Sequence, residues 1–388
     1  FRWPLVWLWL AVGLGVPPAP ACGPDFPNYL LEHGDAAVLT APEARFRDEL
    51  RRLELISPPH RAVPGADPTA QTFDAELADL RAALERAGVP ADRREAILGR
   101  HRAERGRIST FAAFAGERVR KAGDQLGIAQ AFELRPDLTN APRILGAPPQ
   151  ITAGLPGEFA DYFRGSIAWH RGDFPGARRA WTALLDRPLP ERHFKSTWAA
   201  FMLGKSWEEE NRAWAGRFFQ RVRQLATNGF ADSLGLAASS LGWEARCCLH
   251  EGDYAKAIDL YLEQGASGDE TAVNSLRMAA AAALVHGRNQ HRALASHPRA
   301  QRVITAYLIS GGRDGNVDVD NPLKEYGIRL LGKAAAVVPS IPGPKPTWHQ
   351  YASTLDLWIE ALEDARVTDV ESAESIALAA YQGGQWES

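Results

Sequence analysis

The stretch GEFADYFRGSIAWHRGDFPGARRAWTALLD, residues 157–186, decides the fold, and LAASSLGWEARCCLHEGDYAKAIDLYLEQ, residues 236–264, repeats its pattern. In each, a helix-length segment ends on Gly, a polar residue and an aromatic, Gly172-Asp173-Phe174 and Gly252-Asp253-Tyr254, and a second helix-length segment follows. Counting back seven from each Gly reaches a small residue, Gly165 or Ala245. Counting forward five reaches Ala177 or Ala257, and counting forward nine reaches Trp181 or Tyr261. Near the end of the chain, Gly384-Gln385-Trp386 restarts the pattern, with Ala377 at the same backward offset.

Each position has a packing task. A small residue midway along the first helix lets the second approach closely, and Gly permits the left-handed turn that ends the first helix. The aromatic after the turn is expected to fill the gap between successive hairpins. A weaker unit begins near Thr197, where Leu203, Ala215 and Phe219 hold the register but Glu210 and Asn211 replace the Gly-Asp turn.

On these residues the chain resembles the tetratricopeptide family, whose units of about 34 residues share this layout. The register points Gly165, Leu203 and Ala245 are spaced more widely than that period, and the resemblance covers residues 157–265 and 370–388. It implies an all-α fold of antiparallel hairpins stacked as a right-handed solenoid. It also implies a curved surface offered to a protein or peptide partner. Exposed aromatic and Arg residues on the first helices are the expected anchors.

Outward from the repeats, three regions are expected: a signal segment over 1–21, a Pro-rich collar with a helical hairpin over 22–156, and the repeat domain over 157–388. A short charged helix is expected around Pro42–Leu55. In 70–87, Phe73, Leu77, Leu80 and Leu84 recur at helical spacing, and Gly88 supplies the stop. A second helix follows Pro90 to about Arg105, then a separate one over 109–125. Pro136, Pro142, Pro148, Pro149 and Pro156 break the helix beyond. Further helices are drawn over 159–171, 175–186, 193–210, 213–227, 231–251, 254–264, 270–286, 298–309, 322–338, 347–365 and 370–382. No strand-like alternation appears.

The N-terminus reads as an export signal. Arg2 precedes an apolar run from Trp3 to Val16, too short to span a bilayer, and Ala19-Pro20-Ala21 provides small residues for cleavage. Cys22 stands where bacterial lipoproteins carry their lipidated cysteine, although Ala19 and Pro20 depart from the usual lipobox. Two fates for Cys22 follow, lipid anchoring or an ordinary N-terminal thiol after release. The expected location is the periplasm, the outer membrane or the outside of the cell. A chain that opens on Phe1 and stops at Ser388 within a repeat is expected to continue beyond Ser388.

Composition narrows the function classes. A formal net charge of −3 provides no field for nucleic acid. The three cysteines, Cys22, Cys247 and Cys248, are too few for a disulfide framework, and the adjacent pair reads as buried thiols. His286, His291 and His297 do not share a helix face and read as surface residues. Asp314, Asn316, Asp318 and Glu325 fall at calcium-loop positions, but Val319 replaces the needed Gly, so the loop 314–325 reads as a solvated turn. Glu208-Glu209-Glu210 and Glu360, Glu363 and Asp364 read as solvated faces, and most of the Trp residues as core. No catalytic, cofactor-binding or metal-binding motif is present, so the expected function is a non-catalytic envelope scaffold. Two alternatives stand beside it: a glycan-capturing lipoprotein, and the accessory region of an enzyme whose catalytic domain lies past Ser388.

Overall fold

A computed structural model describes residues 42–56, 68–126, 149–269, 271–310 and 357–367. Among these the chain is all-helical, without strands. The segments 1–41 and 368–388 lie outside the described residues, and with them the export signal, Cys22, Gly384 and Trp386; the loop 314–325 and Trp348 lie outside as well.

Three helices precede the repeats: α1 (Pro42–Arg52), α2 (Pro68–Arg86) and α3 (Ala91–Leu126). The apolar stripe of α2 buries Leu77, Leu80 and Leu84 against Ile97 and Leu98 of α3. α3 runs without interruption through 109–125, where two helices were expected. No Pro occurs between 91 and 126, and Gly106 alone costs a helix only about 1 kcal/mol, too little to break it.

The array then runs α4 (Gly157–His170), α5 (Phe174–Leu185), α6 (Ser196–Trp207), α7 (Arg212–Thr227), α8 (Leu236–His250), α9 (Tyr254–Ala266), α10 (Ala272–His286), the short α11 (His291–Ala295) and α12 (Pro298–Ile309). A last helical segment, α13, covers 357–364. From α4 to α10 each helix packs on the next, and α12 packs on α9 and α10. Alternate helices also touch, α4 with α6, α6 with α8 and α8 with α10, so the first helices of successive hairpins form a layer of their own.

The turns that close the first helices explain the pairing. At Gly172 (φ 74°) and Gly252 (φ 77°) the backbone turns left-handed. The following Asp173 and Asp253 each donate their N–H to the carbonyl five residues back, Ala168 and Cys248, both at 2.9 Å. The same two aspartates then cap the next helix, accepting from the N–H of Gly176 (2.9 Å) and Lys256 (3.3 Å). In the middle hairpin Asn211 does this work, accepting from Trp214 N–H at 3.0 Å, so the unit that lacks Gly-Asp keeps its cap.

Two features shift from expectation. α8 begins at Leu236 and not at 231, because Asp232 stays outside the helix and accepts from the N–H groups of Leu236 (2.7 Å) and Ala237 (3.0 Å). The 3-10 turns at Leu189–Glu191 and Arg288–Gln290, together with α11, were not foreseen.

Candidate functional site

The repeat-defining residues meet inside the hairpins. Gly165 lies directly against the Trp181 indole, where a Cβ would collide with the ring. Ala177, Trp181, Ala245, Ala257 and Tyr261 are buried. In the middle hairpin the small residue against Phe219 is Gly204, whose Cβ would sit 2.6 Å from the ring; Leu203, the expected register point, packs in the cluster of Trp181 from the preceding hairpin. Phe174 packs on Trp169 in its own hairpin, ring centroids 4.9 Å apart. Tyr254 is buried against Gly287 at the end of α10 and so bridges to the next hairpin.

Half-buried aromatic and basic side chains occur on three of the first helices: Trp169 and His170 on α4, Lys205 on α6, and Trp243, Arg246 and His250 on α8. The Trp243 ring carries the Lys205 ammonium of α6 4.7 Å from its centroid and the Arg246 guanidinium, one turn along its own helix, at 5.5 Å. Burial, with Arg105 nearby, pushes His170 down to about 4. Burial also lowers Lys205, and burial with Arg246 and Arg212 lowers His250.

Glu208 is buried and not on a solvated face. Its carboxylate pairs with Arg246 at 3.0 Å, and burial raises its proton affinity. His291 is likewise buried, with Nε2 3.3 Å from the Leu284 carbonyl and its ring edge-on to Trp358, while His297 caps α12. Of the tryptophans, Trp181, Trp198 and Trp358 are buried and Trp214 is exposed. Cys247 and Cys248 are buried free thiols pushed up by burial to about 12 and 11, which makes them poor nucleophiles.

The densest polar site was not anticipated. Where α2 and α3 meet the array, the Lys195 side chain is wholly enclosed, with Nζ 3.0 Å from Asp79 Oδ2 and 3.4 Å from the centroid of the Trp198 ring. Ser233 donates to the same Asp79 oxygen at 2.9 Å, and Trp198 Nε1 donates to Ser233 Oγ at 3.3 Å. Burial lowers Lys195, opposed by Glu76 and Asp79. One turn earlier on α2, Glu76 is buried against His101 Nε2 (3.1 Å) and Arg105 Nε (2.8 Å). Burial works against its charge, but the His101 bond with Lys195 and Arg105 nearby prevails and holds it down to about 2. Glu158, at the start of α4, accepts from the N–H groups of His193, Phe194 and Lys195 at 2.8–3.0 Å, fixing the turn that presents Lys195.

One signal could have exposed this cluster. Glu76 lies three residues after Phe73 and four before Leu80, inside the apolar stripe of α2 and not opposite it. Chemically the cluster is a dry set of paired charges that joins chain segments. Among the described residues no group of three or more His, Cys, Asp or Glu could hold a metal ion, and no helix is long and apolar enough to cross a membrane. Comparison of the chain with protein-family models, with curated proteins and with solved structures finds no match.

Proposed function

We propose that this chain is an exported helical-repeat scaffold of the tetratricopeptide type, a right-handed stack of hairpins that holds a protein or peptide partner along its first helices. The observation that carries the reading is the shared layer of α4, α6, α8 and α10, whose first three helices bear the half-buried Trp169, His170, Lys205, Trp243, Arg246 and His250. Aromatic and basic side chains with part of their surface open and little hydration to lose are the usual anchors of a binding face. The repeated caps Asp173, Asn211 and Asp253 support the repeat assignment. Export rests on the apolar run from Trp3 to Val16 with its Ala-rich cleavage residues, and membrane attachment on lipidation of Cys22.

The test is capture from the native envelope fraction by residues 23–388, beside the same chain carrying Trp243→Ala and Lys205→Glu. A partner held by the first and lost by the second is expected. Reproducible recovery of no protein by either chain overturns the reading.

A further inference from the structure

One second helix of the array turns a face outward that its neighbours leave uncovered. α7 packs on α6 and α8 and buries Ala215, Phe219, Val222 and Leu225. On its other side Trp214, Arg217, Arg221 and Gln224 recur at spacings of three, four and three, and all four are exposed. Trp214 is the one exposed tryptophan among the described residues. Its ring centroid lies 5.1 Å from the Arg217 guanidinium and 6.1 Å from that of the half-buried Phe218.

The charge on this helix has one sign. α7 carries Arg212, Arg217, Arg221 and Arg223 and neither Asp nor Glu, whereas α9 sets Asp259 and Glu263 beside Lys256. Arg223 is taken up by Glu244 and Ser240, but Arg217 lies over the Trp214 ring and Arg221 reaches only as far as Gln224 Oε1, at 3.4 Å. In the turn before α7 stand Glu209 and Glu210, and Glu210 is held by Arg178 at 2.7 Å. Beyond the helix, burial and then the Arg221 charge lower Arg192, against Asp186 and Glu158. An indole is well placed at a boundary between water and hydrocarbon, and arginines beside it favour anionic headgroups. We infer that the outer face of α7, with Trp214, Arg217 and Arg221, docks on an anionic lipid surface, the helix lying in the plane of the headgroups. Two exposed cations are too few for a nucleic acid, whose hold grows with the number of phosphates neutralised. The face lies outside the layer of first helices on which the partner reading depends, and the inference rests on the export reading only for which membrane the protein meets.

The test sediments the full chain with vesicles of phosphatidylcholine alone and with vesicles that also contain phosphatidylglycerol. Neutral vesicles register whatever the apolar run from Trp3 to Val16 contributes, and the excess on anionic vesicles reports the charged face. Each cation near such a surface is worth about a fivefold gain in binding, so Arg217→Glu with Arg221→Glu is expected to cut the excess at least about tenfold. The parent's excess is expected to vanish in about 1 M salt, where screening leaves a range of only about 3 Å. Trp214→Ala should weaken anionic binding and keep its salt dependence. Arg86→Glu with Arg93→Glu makes the same change in net charge on the N-terminal hairpin, where both residues are exposed, and should keep the excess. All of these side chains lie on the surface, so urea unfolding of each variant is expected to match the parent's. No excess on anionic vesicles, or an excess lost equally in both arginine pairs, overturns the inference. So does binding of a single-stranded oligonucleotide without any excess on anionic vesicles. No protein partner is present in this test, so failure of partner capture leaves its readout untouched.

Discussion

The interior of a hairpin and the junction beneath α2 are both dry, and they are held by opposite means. Inside α4/α5, Gly165 makes room for Trp181, whose ring is fully buried among Ala177, Leu184 and Leu203. Only Trp181 Nε1 needs a partner there, the Tyr162 carbonyl at 3.2 Å. At the junction, Lys195, Asp79, Glu76, His101 and Glu158 are all buried, and charged pairs and hydrogen bonds join them among aromatic rings. Apolar packing tolerates small rearrangements, because its attraction is spread over many weak contacts. A buried charge has no such tolerance, since loss of one partner strands the other without water. The hairpins therefore set the general architecture, and the junction sets which helices may sit on the array.

Single truncation of the junction breaks that contrast most severely. Asp79→Ala leaves the Lys195 ammonium enclosed and is expected to cost about 3–5 kcal/mol in urea unfolding. The pair Asp79→Leu with Lys195→Met, which removes both charges, is expected to recover most of that loss. A double variant as unstable as the single one would show that the junction needs its charges and not merely its fit.

Acid should find the junction before the hairpins. The Glu76 carboxyl is held at about 2 in the folded chain against an ordinary 4.5, so its stabilisation is complete above 4.5 and drains away as the pH falls from there towards 2. The loss amounts to roughly 3 kcal/mol, given 1.36 kcal/mol per pH unit. Glu76→Gln should be less stable at neutral pH and show a flatter acid limb; an acid limb as steep as the parent's would assign the effect to other carboxylates.

Within the hairpins the expected effects are smaller and steric. Gly165→Ala forces the Trp181 ring to move and should cost about 1–3 kcal/mol. Gly172→Ala has open space around its Cβ but a φ of 74°, so only backbone strain of about 1 kcal/mol is expected. Equal losses at the two sites would mean that close approach is not what Gly165 provides. Smallest of all, Asn211→Ala should cost about 1 kcal/mol and Asn211→Asp close to nothing, read as shifts in melting temperature.

How much was legible follows the same division. The offsets from Gly165 to Gly172, Ala177 and Trp181 lie within one hairpin, so the turn chemistry and helix period that create them are local and visible. The middle unit was legible through Ala215 and Phe219, while the cap supplied by Asn211 was hidden because it replaced a motif instead of repeating it. The junction was almost illegible, since Asp79 and Lys195 are 116 residues apart and neither repeats. Glu208 misled for a related reason: flanked by Glu209 and Glu210 it looks solvated, and only Arg246 from the next hairpin buries it.

The sequence by itself determined that the described chain is helical and where the hairpins of the first and third units turn, because those outcomes depend on neighbours within a few turns of the backbone. Only the tertiary structure decided that α1 docks on α10 and α12, and that Asp79 binds the N-terminal hairpin to Lys195 and Ser233 of the array. Those outcomes depend on which distant surfaces meet, and a buried charge finds its partner through the fold as a whole.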